Sequence, residues 1–268
     1  MSRNGPLALA YHALFVTFML APIVVVVCVA FTPEGYLSFP TDRWSLRWFE
    51  AIGRYPEFIA AFWRSLWLGA LSSAIAVGFS VPAALAIARY RFRGREAMTA
   101  LFMSPLMIPH VVLGIAFLRF FTELGLGGTF FGLVLAHIVI VLPFALRLTL
   151  ASAVGLDRSI EHAAISLGAS DAVVLRRITL PLVLPGLVSG WALAFINSFD
   201  EVTMTVFIAA PGTETLPVRM FLYIQDSIDP LVTSVSACVI AITVVALVAL
   251  DRAWGLERLL VGRSADGR

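Results

Sequence analysis

Six separate stretches of about twenty apolar residues constrain this chain more than any other feature. They cover residues 7–31, 65–88, 97–118, 124–146, roughly 182–210 and 231–250. About 20 mostly apolar residues are needed for a helix to cross bilayer hydrocarbon. A helix also satisfies its own backbone groups, which lipid cannot do. The sequence therefore predicts an all-α, polytopic membrane protein with six transmembrane helices. Composition agrees: charged residues are 13% of the chain, against about 25% in a soluble domain. The first run exceeds the roughly 7–15 residues of a signal-peptide core and no Ala-x-Ala cleavage site is seen, so it is read as a true span.

Arginine sets the orientation. All 19 basic residues are arginine, and none is lysine. With the N-terminus inside, the inner segments hold Arg3; Arg89, Arg91, Arg93 and Arg95; Arg147, Arg158, Arg176 and Arg177; and Arg252, Arg258, Arg263 and Arg268. Only Arg43, Arg47, Arg54, Arg64, Arg119 and Arg219 fall outside. That excess predicts an N-in, C-in topology. The run from Arg89 to Arg95 needs no role beyond anchoring the chain beside anionic lipid. Without lysine, a P-loop ATPase and Schiff-base chemistry are both excluded. A net charge of +2 gives no reason to expect a nucleic-acid partner.

The chain divides into an N-terminal helix with an outer segment (1–61), a core (62–250) and an inner tail (251–268). In the outer segment, Pro33, Gly35, Pro40 and Pro56 flank Trp44, Trp48 and Phe49. A short surface helix is expected near 46–52, with tryptophan at the interface. Pro82, Pro105, Pro109 and Pro143 interrupt spans two to four, where neighbouring helices can re-satisfy the backbone. His12, His110 and His137 stand alone in apolar runs and suggest bundle histidines with local partners, not a metal site. Cys28 and Cys238 read as small buried hydrophobes.

The inner connection from 147 to 181 is far longer than the roughly 2–8 residues a bundle turn needs. Its pattern is helix, glycine, helix. Asp157 can cap a helix over 158–167, with Ile160, Ala163, Ala164 and Leu167 on one face. Gly168 sits where a left-handed residue ends that helix. Ser170 can cap a second helix, with Asp171 in its first turn, that is stopped by Pro181. Such an elbow could dock on another protein or lie on lipid headgroups.

Two acids lie inside the fifth run. A charge near the bilayer centre costs about 2.5–3.5 kcal/mol on insertion scales, so Asp200 and Glu201 must face protein or water. Helical spacing places Asn197, Asp200 and Glu201 on one face, extended by Gly190 and Thr205. Either that face lines a solute pathway or the acids pair with a neighbouring helix, through Arg119 or Arg219.

Residues 161–170 read Glu-His-Ala-Ala-Ile-Ser-Leu-Gly-Ala-Ser, and 176–181 read Arg-Arg-Ile-Thr-Leu-Pro. Together they resemble the EAA loop of binding-protein-dependent ABC importers of type I. Arg-Tyr-Arg-Phe-Arg-Gly from 89, Ser-Phe-Asp-Glu-Val-Thr from 198 and Thr-Leu-Pro-Val-Arg-Met from 215 are similar to spermidine/putrescine-type permeases. The likeness runs from about 62 to 250. It implies a permease subunit in the inner membrane, without enzymatic activity or cofactor of its own. ATP and magnesium are expected on a dimer of separate ATP-binding subunits. A second permease subunit and an extracytoplasmic binding protein complete the implied assembly, and a polyamine is the implied solute. Glu161, His162, Ala163, Ala164, Gly168, Leu180 and Pro181 are implied in coupling to the ATPase. Aligning Gly168 with the motif puts His162 at the usual Glu position and Glu161 one residue early, so either could make the contact. Asn197, Asp200 and Glu201 are the expected pathway residues. An ion-coupled secondary transporter using Asp200 and Glu201 is the alternative, and an intramembrane enzyme is disfavoured because no nucleophile–base motif occurs.

Overall fold

The computed structural model describes residues 5–41 and 43–254. Arg3 and the tail arginines Arg258, Arg263 and Arg268 lie outside the described residues. The described chain is helical, and no strand occurs in it. Five helices are long and apolar enough to cross a membrane, and a bent helix pair makes the sixth candidate span.

The first span is α1 (Pro6–Ala30), with Pro at its first position, where a missing N–H costs nothing. Helix α2 (Arg47–Ile52) is the short surface helix expected. Its Trp48 ring is buried within the chain, and its indole N–H donates to Glu34 O at 2.9 Å. Helix α3 runs unbroken over Pro56–Arg89, starting nine residues before the apolar run. At about 1.5 Å per residue, its 34 residues outreach the bilayer.

The third span is not one helix. Helix α4 (Arg95–Met103) passes through a 3-10 turn (Ser104–Met107), and α5 (His110–Glu123) leaves at 101° to it. Pro105 removes the donor for Leu101 O; Ser104 instead donates its hydroxyl to that carbonyl at 2.8 Å. Pro109 forces the preceding Ile108 into the extended region, with ψ 127°. Pro82 and Pro143 stay inside continuous helices.

Helix α6 (Phe130–Val154) carries the most buried positions, from Leu133 to Ala153. It includes Arg147, which sequence reading put in the inner connection. After α7 (Arg158–Ser166), the fifth span starts at α8 (Asp171–Val174). It continues through a π-helical turn (Leu175–Thr179) into α9 (Leu180–Phe199). Pro181 therefore does not stop a helix. It sits in the first turn of α9, immediately after the wide turn; a π turn leaves room for a proline ring that a regular turn would clash with.

The fifth span also ends earlier than 210, at Phe199. A separate short α10 (Thr205–Ile208) follows. The cause is local: Glu201 Oε1 accepts from Met204 N at 2.6 Å, and such side-chain bonds compete with helix continuation. The described residues end with α11 (Leu216–Asp226) and the sixth span, α12 (Leu231–Trp254).

The chain forms two compact units. One joins the described residues from 5 to 60 with 219–249. In it Ser234 on α12 donates to Ala30 O of α1 at 3.1 Å, and Arg219 pairs with Glu57 at 3.0 Å. The other joins 61–218 with 250–254 among the described residues. Its core draws Leu68 and Ala76 from α3, Phe121 from α5, Ile140 and Ala145 from α6, Ala194 from α9 and Met204 before α10. Helices α6 and α9 pack through Gly186-x-x-x-Gly190, which lies against Ser152, Leu148 and Ala145. Small residues at this spacing let membrane helices approach closely.

Candidate functional site

The elbow between α6 and α9 forms from strong local signals. Asp157 caps α7, accepting from Ser159 N at 2.9 Å; the hydrogen bonds from Ser159 hold its carboxyl below the usual range. At the other end Gly168 takes φ +89°. Its N–H reaches Ile165 O at 2.9 Å, and Ala169 N reaches Ala164 O at 3.0 Å. These two bonds are the Schellman pattern. Ser170 precedes α8 but makes no side-chain capping bond.

The residues implied in coupling separate into three groups. His162, Ala163 and Gly168 are exposed, and Ala164 is half-buried. Beside them Ile160 and Ile165 are each 46% exposed and Leu167 is 89% exposed. An apolar, small-residue surface of this kind marks an interaction site when it stands in water. Leu180 and Pro181 lie beyond the π turn, inside α9. Glu161 turns the other way and is only 4% exposed. Its Oε1 accepts from Arg89 Nη2 at the end of α3 and from the Thr179 hydroxyl at the end of the π turn. Arg89 also donates to Thr179 at 3.0 Å. These bonds place the Arg89–Arg95 turn and the elbow at one end of the unit, as the arginine bias requires.

The acids do not share a helical face. Asp200 is the exposed C-terminal cap of α9, whereas Glu201 is 7% exposed. Arg119 does not pair with Glu201; it bonds Glu123 at 3.1 Å. Glu201 Oε2 lies 2.7 Å from Nδ1 of His110, the first residue of α5 after the break in the third span. Asn197 is half-buried, and its amide N donates one hydrogen to Leu193 O at 2.8 Å, while its carbonyl oxygen is the acceptor the side chain offers. Gly190 packs on Ala145. Thr205, fully buried, bonds His137 Nε2 at 3.0 Å, while Ser198 bonds His137 Nδ1 at 2.7 Å. His110 and His137 thus have bundle partners. Among the described residues no cluster of His, Cys, Asp or Glu could hold a metal ion.

Sequence reasoning missed Arg89, Thr179 and His110 as partners of the acids. Arg89 lies 72 residues before Glu161 and His110 lies 91 before Glu201, separations that no local pattern reports.

Residues 76–253 match the family model described as the binding-protein-dependent transport system inner membrane component. The spermidine/putrescine transport system permease protein PotC of Haemophilus influenzae is 31% identical, across 93% of this chain and 95% of that protein. The putrescine transport system permease protein PotI of Escherichia coli K12 is 30% identical, across 87% and 85%. Among solved structures, a chain of a bacterial ABC transporter that imports the acidic polysaccharide alginate superposes with a TM-score of 0.71. It covers 95% of this chain and 99% of that one at 18% identity.

Proposed function

The chain belongs to the binding-protein-dependent transport system inner membrane components, the permease subunits of ABC importers, and from that premise we propose that it translocates a small polyamine cation, driven by ATP hydrolysed on a separate subunit. It is a multi-pass inner-membrane protein of a family that transports and does not catalyse. The observation that carries the docking half of the proposal is the exposed outer face of the elbow. There Ala163 and its apolar neighbours project from a helix capped at both ends. Its partner is a dimer of ATP-binding subunits; a second permease subunit and an external binding protein complete the assembly. The elbow docks differently on the two states of the ATPase, and that difference in affinity biases the spans between inward-open and outward-open.

A single cysteine at Ala163 tests this part. In membranes holding the whole complex, Ala163→Cys is expected to cross-link to the ATP-binding subunit. Capture of lipid alone, or labelling of this cysteine from outside the cell, would sink the docking assignment.

The cation preference rests on Asp200 and its setting. The last carbonyls of a helix carry partial negative charge, and interrupted spans use such ends to hold cations. Asp200 adds a full carboxylate at the end of α9, and the side-chain oxygen of Asn197, about one turn back, is an acceptor for an ammonium group. The two relatives named for putrescine or spermidine transport support a polyamine. Asp200→Asn is expected to weaken polyamine uptake at least about tenfold, since a hydrogen bond to a charged group contributes about 1.5–3 kcal/mol. Uptake measured at low polyamine concentration checks it, and wild-type rates in the variant would remove Asp200 from the pathway.

A further inference from the structure

Helix α7 is attached to the rest of the unit by two short links that each contain a glycine. Gly155 and Leu156 precede its cap, and Gly168 and Ala169 follow it. A push on its outer face would be absorbed in those links unless something else tied the helix down. The tie present is the triangle of Arg89, Glu161 and Thr179. Glu161 and Thr179 are 4% and 0% exposed, so water cannot replace either bond cheaply. A buried carboxylate stripped of its donors is strongly unfavourable, which makes the triangle stiff against opening. Its three corners stand on three different elements: the inner end of α3, the first turn of α7, and the last residue of the π turn that leads into α9. A π turn is a local defect in a helix. Gripping the chain at Thr179, on the α9 side of that defect, bypasses it.

We propose that the Arg89–Glu161–Thr179 triangle is the clamp that passes elbow motion to α3 and α9, with Glu161 a positioning residue and not a docking contact. The inference rests on the reading of the elbow as the ATPase-docking element, and it decides between the two residues that the motif left open. His162 and Ala163, on the exposed side, face the partner. Glu161 faces inward and makes α3 and α9 follow. Loss of the clamp should therefore uncouple hydrolysis from transport without undocking the ATPase.

The test uses the whole complex in proteoliposomes with its binding protein and a polyamine, measuring uptake and ATP hydrolysis together. Each variant also carries Ala163→Cys to report docking. Glu161→Ala is expected to lower uptake per ATP hydrolysed at least tenfold, with cross-linking to the ATPase unchanged and hydrolysis within about twofold of the parent. Thr179→Val removes only the hydroxyl and should move the same ratio in the same direction by less, which keeps the test readable should Glu161→Ala assemble poorly. The exchange Arg89→Glu with Glu161→Arg is expected to recover at least threefold of the ratio lost in either single variant. An unchanged ratio in both Glu161→Ala and Thr179→Val overturns the clamp. So does loss of the cross-link in parallel with hydrolysis, which would make Glu161 a docking contact. Should the parent with intact Glu161 capture no ATPase, the docking assignment fails first and the clamp falls with it.

Discussion

Replacing Gly186 by leucine is expected to unpack the α6–α9 pair and leave little of the chain folded in detergent. A Cβ at Gly186 would stand 2.4 Å from Ser152 Cβ and 2.9 Å from Leu148 O. The second contact is backbone within α6, so no rotamer change relieves it. Overpacking of this kind costs about 1–3 kcal/mol, occasionally more, and leucine adds three further carbons to the crowded side. Gly186→Ala alone should lower the apparent melting temperature by roughly 5–10 °C, at about 2–4 °C per kcal/mol for a chain of this size. The control is Gly78→Ala. Gly78 also lies inside a helix, but a Cβ there meets nothing within 4 Å. Helix propensity alone then acts, and favours alanine by about 1 kcal/mol. Shortening Ser152 to glycine in the Gly186→Ala background should restore part of the loss. Equal melting temperatures for Gly186→Ala and Gly78→Ala would show that the close helix contact is not the cause.

Gly168→Val is expected to abolish substrate-stimulated ATP hydrolysis by the assembled importer while all six spans still insert. Here crowding is not the reason, because a Cβ at Gly168 also meets nothing within 4 Å. The reason is φ +89°. The left-handed region costs an L-residue about 1–2 kcal/mol, and a β-branched side chain is a genuine outlier there. Valine at this position should break the bonds to Ile165 O and Ala164 O that close α7, and so turn the elbow away from its partner. A loss of at least tenfold in stimulated hydrolysis is expected. Gly168→Asn separates conformation from bulk, since asparagine visits the left-handed region at modest cost; it should keep most of the activity. Normal stimulated hydrolysis in Gly168→Val would contradict the role given to the elbow.

The residue order reveals these two glycines to different depths. Gly168 could be assigned its left-handed turn from what surrounds it: a cap at Asp157, one apolar face and a second cap signal at Ser170. Gly186 could not be assigned a neighbour, because its partners on α6 are 34 and 38 residues away. The four prolines make the same point. Pro105 and Pro109 break the third span, while Pro82 and Pro143 do not break theirs. All four remove a donor; what happens next depends on which groups pack nearby.

The residue order alone determined the lipid-embedded helical class and the capped elbow. Each follows from transfer of a side chain between water and lipid or from bonds spanning a few residues, and such terms add up along the chain. Tertiary structure alone decided which side Glu161 faces and why Glu201 can be buried. Burying a carboxylate requires a specific donor, and Arg89 and His110 reach theirs only after the helices have packed.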